Sequence, residues 1–132
     1  MNTDARDAST TTLVFCRPGV DPSLISQTLG LEPTESKAAS GPSDVGTWKL
    51  RIDMSAGSDT VEAQIEKWLP FLEFRGEAFA NLVRLGYRPY LDCRAEPRSL
   101  SLCIDSEQLI RLGKLGIALS VWLYEHPPQP AV

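Results

Sequence analysis

Histidine is almost missing from this chain: of 132 residues only His126 is one, and it sits in the proline-rich end His126-Pro127-Pro128-Gln129-Pro130. Acid–base work at neutral pH falls most often to histidine, so a Ser-His-Asp or Cys-His catalytic site is not supported. Cysteine is scarce too. Cys16, Cys93 and Cys103 are an odd number without C-x-x-C spacing, which argues against a disulfide framework or a zinc site and for free thiols in a reducing compartment. The apolar runs, such as Leu13 to Cys16, fall far short of the ~20 residues of a membrane helix. Met1 to Thr12 lacks the apolar stretch of a secretory signal, so the expected compartment is the cytoplasm, with no membrane partner. Positive charge is also in deficit. Thirteen Lys and Arg against seventeen Asp and Glu give a net charge of −4, the wrong sign for gripping phosphate backbones, so nucleic acid is not the expected partner. Neither G-x-x-x-x-G-K-[ST] nor G-x-G-x-x-G occurs, and no cofactor is implied.

What is present is a chain 42% hydrophobic and 23% charged, the profile of one globular domain. Residues 1–11 and 126–132 lack apolar periodicity and read as tails around a single domain at 12–125. Thr12 to Arg17 reads as a first strand, closed by Pro18-Gly19. Asp21 as N-cap, Pro22 at the first helical position and the stripe Leu24, Ile25, Leu29 predict a helix that Gly30 stops. Glu35 to Ala39 is a weak strand. Trp48, Leu50 and Ile52 alternate with polar neighbours in the clearest strand of the chain, which places Trp48 in the core.

Asp59 with Glu62 has capping-box spacing for a helix carrying Val61, Ile65, Trp68 and Leu72. Phe79, Leu82 and Val83 resume the period until Gly86, so the segment is a kinked helix or two helices with Pro70 at the junction. Glu62, Glu66, Glu73 and Glu77 read as a solvated acidic face of this segment. Tyr90–Ala95 and Ser99–Ile104 read as a hairpin around Glu96-Pro97-Arg98. Its register would put Cys93 and Cys103 on opposite faces, excluding a disulfide between them. Asp105 and Gln108 start another helix, and Ile117–Tyr124 is the last strand, with Leu119, Val121 and Leu123 on its apolar face. The expected fold is α+β: a largely antiparallel sheet with helices on one face, a ferredoxin-like βαββαβ start and an added βαβ unit.

Leu29-Gly30-Leu31-Glu32-Pro33-Thr34, then Gly46-Thr47-Trp48, then Leu85-Gly86-Tyr87 and Leu112-Gly113-Lys114-Leu115-Gly116-Ile117-Ala118-Leu119-Ser120 together resemble the bacterial domain of unknown function 4279 family, over about residues 12 to 124. The resemblance implies a small α+β domain and carries over no catalytic residue. Both leading motifs also have plain physical roles, as a helix C-cap followed by a breaker and as a turn leading a buried aromatic into a strand.

Alternation names a candidate surface. With the apolar sets facing helices, the opposite sheet face carries Lys49, Arg51, Tyr90, Asp92, Arg94, Trp122 and Tyr124, joined by Ser99 and Ser101. Aromatics among arginines are enriched at binding hot spots. Two functions compete. One is a non-enzymatic protein-interaction module, of immunity type or regulatory, whose partner is another protein or a second copy of the chain. The other is a small ligand-binding domain or enzyme using carboxylate and arginine side chains on that face. Arg17-Pro18-Gly19-Val20, ahead of the first helix, is the nearest approach to a separate anion site.

Overall fold

A computed structural model describes residues 9–52, 60–95 and 102–123. In chain order the elements are β1 (Thr10–Pro18), α1 (Pro22–Leu29), β2 (Glu35–Lys37), β3 (Val45–Leu50), α2 (Val61–Glu73), α3 (Gly76–Arg84), β4 (Tyr90–Ala95), α4 (Ser106–Lys114) and β5 (Ala118–Leu123). The strands form one five-stranded sheet in the order β2-β3-β1-β4-β5. Central β1 is antiparallel to β3 and β4, β2 is antiparallel to β3, and β5 joins β4 in parallel. The fold is α+β with a mixed, largely antiparallel sheet. β1 begins two residues earlier than the apolar pattern predicts, and the buried Ser9 precedes it.

The helix boundaries follow from their caps. Asp21 Oδ1 accepts from the amides of Ser23 (3.1 Å) and Leu24 (3.3 Å), and Gly30 closes α1 at φ 69°, its N–H returning to the Ser26 carbonyl. Asp105 and Gln108 form a complete capping box on α4. For α2 the cap is Thr60, whose Oγ1 accepts from the Ala63 amide at 3.1 Å; Asp59 lies outside the described residues. Pro70 is not the junction. α2 runs through it to Glu73, because Trp68, Leu69 and Leu72 on both sides of Pro70 are buried and hold the turn against the core. The break comes at Phe74–Arg75, where Arg75 Nε donates to the Leu29 carbonyl (3.1 Å) and Nη1 to the Phe71 carbonyl (3.1 Å). One side chain thereby satisfies a carbonyl at the C-terminus of α1 and another in α2.

Two further expectations are corrected, the hairpin and the solvated acidic face. Leu102 to Ile104 is not a strand, and Ser99 to Ser101 lie outside the described residues. β4 has only two edges, and β1 and β5 take both, so no hairpin partner can pair there; Leu102 and Ile104 instead pack against the core from irregular backbone. The cysteines are free, with Cys93 buried and Cys103 exposed ahead of α4, so the pair is separated without the hairpin geometry. The acidic stripe of α2 is not simply solvated. Glu62 Oε2 accepts from the Cys103 amide (2.9 Å), Glu66 from Gln108 Nε2 (2.7 Å) and Glu73 from Arg111 Nε (2.8 Å), so the stripe docks α4 and the segment before it.

The core lies between one face of the sheet and the helices. Leu13 and Phe15 of β1, Trp48 and Leu50 of β3, and Leu91 and Cys93 of β4 meet Ile25, Ile65, Trp68, Leu72, Phe79 and Leu82 from the helices. Trp48 is fully buried, stands edge-on to Phe15 at 5.6 Å and donates from Nε1 to Ser26 Oγ. The family-like motifs pin this arrangement. A Cβ on Gly46 would lie 2.8 Å from the Val20 carbonyl oxygen and 3.0 Å from that of Lys37, so no larger residue fits without backbone movement. Coverage fails at β5. Val121 and Leu123, expected in the core, are exposed, because β5 is the sheet edge beyond β4 and α4 packs against α2 rather than over it.

Candidate functional site

The sheet face opposite the helices is concave, and the register explains why. Residues directly opposed on neighbouring strands share a face. Val14 stands opposite both Lys49 and Tyr90, and Tyr90 opposite Ala118. Thr12 pairs with Asp92 and Asp92 with Ser120, while Thr10 pairs with Arg94 and Arg94 with Trp122. Central β1 therefore presents only short side chains, Thr10, Thr12 and Val14. Long ones rise on both sides, Lys49 from β3 and Arg51 just past its end, and Tyr90 and Arg94 from β4. The result is a trough along β1, about 14 Å long from Thr10 to Val14 at a rise of ~3.4 Å per residue. Its volume is ≈ 630 Å³, and Arg88, Leu119 and Trp122 complete its walls.

Six of the seven residues that the sequence assigned to this surface, Lys49, Arg51, Tyr90, Asp92, Arg94 and Trp122, line this one cleft. Tyr124, like Ser99 and Ser101, lies outside the described residues. The sequence reading missed Arg88 and the floor. Thr10 fell before the expected start of the strand at Thr12, and Thr12, though inside it, was not assigned to a face. Arg88 stands in the loop before β4, where no periodicity marks it.

The two banks differ chemically. On the β4–β5 side Arg94 Nε donates to Asp92 Oδ2 at 3.0 Å, and its guanidinium carbon lies 5.5 Å from the centre of the Trp122 ring. That ring is 55% exposed. Burial, together with Cys16 and Asp92 nearby, pushes the Tyr90 phenol above its ordinary value, so it stays a neutral donor through the physiological range. Arg88 Nη1 donates to the carbonyls of Tyr87 (2.9 Å) and Val83 (3.2 Å). On the β3 side, among the described residues, no carboxylate lies within ion-pair distance of Lys49 or Arg51. The lining thus holds four cations and one acid on a chain of net charge −4.

The sequence motifs brace this bank. Thr34 Oγ1 accepts from the Arg51 amide at 2.8 Å, and the Thr34 amide donates to the Lys49 carbonyl at 2.7 Å. Leu-Gly-Leu-x-Pro-Thr therefore ends α1 and clamps the backbone that carries Lys49 and Arg51, while Gly46 and Trp48 fix the adjoining strand against the core. Residues 7–126 match the family described as Domain of unknown function (DUF4279). The chain belongs to this family. No curated protein and no solved structure matches it.

The remaining candidates are weaker. At the start of α1 the side chain of Asp21 already occupies the helix amides, the Gly19 amide donates to the Asp44 carbonyl, and Arg17 lies over the Tyr87 ring at 4.4 Å. That N-terminus has little left to offer an anion. Among the described residues no three His, Cys, Asp or Glu side chains are grouped to hold a metal, and no helix is long and apolar enough to cross a membrane.

Proposed function

We propose that this protein is a binding module that receives an anionic ligand in the cleft on the helix-free face of its sheet. The single observation behind the reading is the pair of cations Lys49 and Arg51, without an ion-pair partner among the described residues, held on a braced segment beside a concavity of ≈ 630 Å³. That volume is within the range of small-molecule sites, which combine an apolar floor with a few convergent polar groups. Val14, Ala118 and Leu119 supply apolar surface; Thr10, Thr12 and Ser120 supply hydroxyls. Local positive charge on an acidic chain attracts anions to this face and away from the rest of the surface. The one carboxylate in the lining, Asp92, is engaged with Arg94, which favours binding over two-carboxylate chemistry.

The test is thermal unfolding in low salt with pyrophosphate as the probe anion. At a hundredfold excess over its dissociation constant the native state gains about 2.7 kcal/mol, and the melting temperature rises saturably. The double variant Lys49→Gln, Arg51→Gln should fold normally and lose the rise. An unshifted melting temperature in the wild type, or an undiminished shift in the variant, would sink the reading.

A second reading, a protein partner or another copy of the chain, is favoured by a different observation. β5 is an edge strand on which Val121, Trp122 and Leu123 are consecutively exposed, and strand edges with apolar side chains recruit further strands. Trp122→Ser and Leu123→Ser in sedimentation experiments test it: a wild-type dimer that dissociates in both variants supports it, and a monomeric wild type removes the second copy.

A further inference from the structure

Resting on the anion-binding reading, we infer that the ligand class is a nucleotide: a planar aromatic base joined to phosphates. The argument is the separation of two chemistries across the trough. Lys49 on β3 and Arg51 just past its end offer charge with no carboxylate in ion-pair distance among the described residues; Glu35 of β2 stands opposite Lys49 in register without such a pair. The β4–β5 side instead offers flat surfaces, the Tyr90 phenol and the exposed Trp122 indole. β3 and β4 are separated by β1 alone, so their side chains stand about 10 Å apart, with β5 one strand further. A ligand that satisfies both sides must carry its anionic end and its ring at opposite ends of a short polar link. In a nucleotide the sugar provides that link, and the hydroxyls of Thr10, Thr12 and Ser120 line the floor between the banks.

The aromatic side is organised for stacking. Asp92 holds the Arg94 guanidinium, which in turn lies against the Trp122 ring, so the indole is oriented without its exposed surface being consumed. A base stacking there meets an indole and a guanidinium plane together, the combination that gives base binding without sequence readout. A small inorganic anion would use Lys49 and Arg51 and leave Tyr90, Arg94 and Trp122 idle. An acidic peptide would use the charges and leave the ring no specific role.

The intrinsic fluorescence of the protein reads the two halves separately. Trp48 and Trp68 are fully buried, so Trp122 is the solvent-exposed indole and the one quenched by a ring stacked on it. Wild-type protein is titrated without divalent cations with pyrophosphate, with ATP and with adenosine, and binding is followed by calorimetry and by fluorescence. The expected result is ATP at least tenfold tighter than pyrophosphate, with quenching for ATP only. Trp122→Leu should remove the tenfold advantage and leave pyrophosphate affinity unchanged, while Lys49→Gln with Arg51→Gln should weaken both ligands. Circular dichroism of each variant checks folding. Equal affinity for ATP and pyrophosphate overturns the nucleotide inference and leaves anion binding standing. Binding of neither overturns both. ATP binding that survives Trp122→Leu and the double variant unchanged places the nucleotide elsewhere and overturns the inference as well.

Discussion

The two faces of this sheet are built from the same strands and differ in what each alternate residue meets. Thr11 and Thr12 are chain neighbours and both are buried. Thr11 points to the helices, where its Oγ1 accepts from Trp68 Nε1 (2.7 Å) and donates to Gln64 Oε1 (2.7 Å), and Gln64 Nε2 donates to the Ser9 carbonyl. Thr12 points the other way, into the floor of the cleft between Arg51 and Asp92. One face is closed by apolar packing and satisfied hydrogen bonds; the other keeps cations and an indole facing solvent. On the proposed binding role of the open face, stability and recognition fall on opposite sides of one layer, and substitutions on the two sides should separate accordingly.

The sharpest separation is between two tryptophans. Trp48→Ala, within the core, should reduce unfolding free energy by about 3–5 kcal/mol, whereas Trp122→Ala should stay within about 0.5 kcal/mol. Denaturant titrations measure both, and comparable losses would break the comparison. Next, Thr11→Val strands the Trp68 N–H and the Gln64 oxygen inside the core, for about 1–3 kcal/mol, while the same change at Thr12 should be near neutral. A destabilised Thr12→Val with an unaffected Thr11→Val would reverse the assignment of faces.

Thiol chemistry sharpens the contrast without altering stability. Burial pushes the Cys93 thiol up to about 12, whereas Cys16 is exposed on the helix-free side and Cys103 is exposed before α4. Iodoacetamide at pH 8 should modify two of the three thiols of native protein and the third only on unfolding, read by intact-mass spectrometry. The smallest effect concerns Glu73, whose carboxyl is held below its ordinary value by the hydrogen bond from Arg111. A depressed folded value stabilises the protein above the ordinary glutamate range, and this contribution is lost as pH falls through the folded value. Being solvent-exposed, the pair contributes little, so Glu73→Gln should slightly flatten the acid limb of the stability curve and leave pH 7 nearly unchanged.

The residues that announced their structure did so through local chemistry. Asp21-Pro22 and Gly30 bound α1, Asp105 with Gln108 opens α4, and the alternation around Trp48 fixes which side of β3 is buried; none of these needs distant partners. The failures share the opposite cause. Leu102 and Ile104 have strand-like alternation, but both edges of β4 are claimed by strands distant in sequence from them or beyond an intervening helix. Pro70 should end a helix, yet the burial of its neighbours carries α2 three residues further. The apolar positions of β5 cannot declare that their strand ends up at an edge. For the cleft, alternation named both banks, because β3 and β4 each show their faces. The concavity was not legible, since it arises from placing a strand of short side chains between two strands of long ones.

The central claim, that the helix-free face is the receiving surface, is tested most directly by mapping pyrophosphate onto the backbone amides in a ¹H–¹⁵N correlation titration at low salt. Saturable shifts should fall on residues 10–14, 49–51, 88–94 and 118–122, with α1 and α4 undisturbed. Shifts centred on the start of α1, or spread evenly over the surface without saturation, would contradict it.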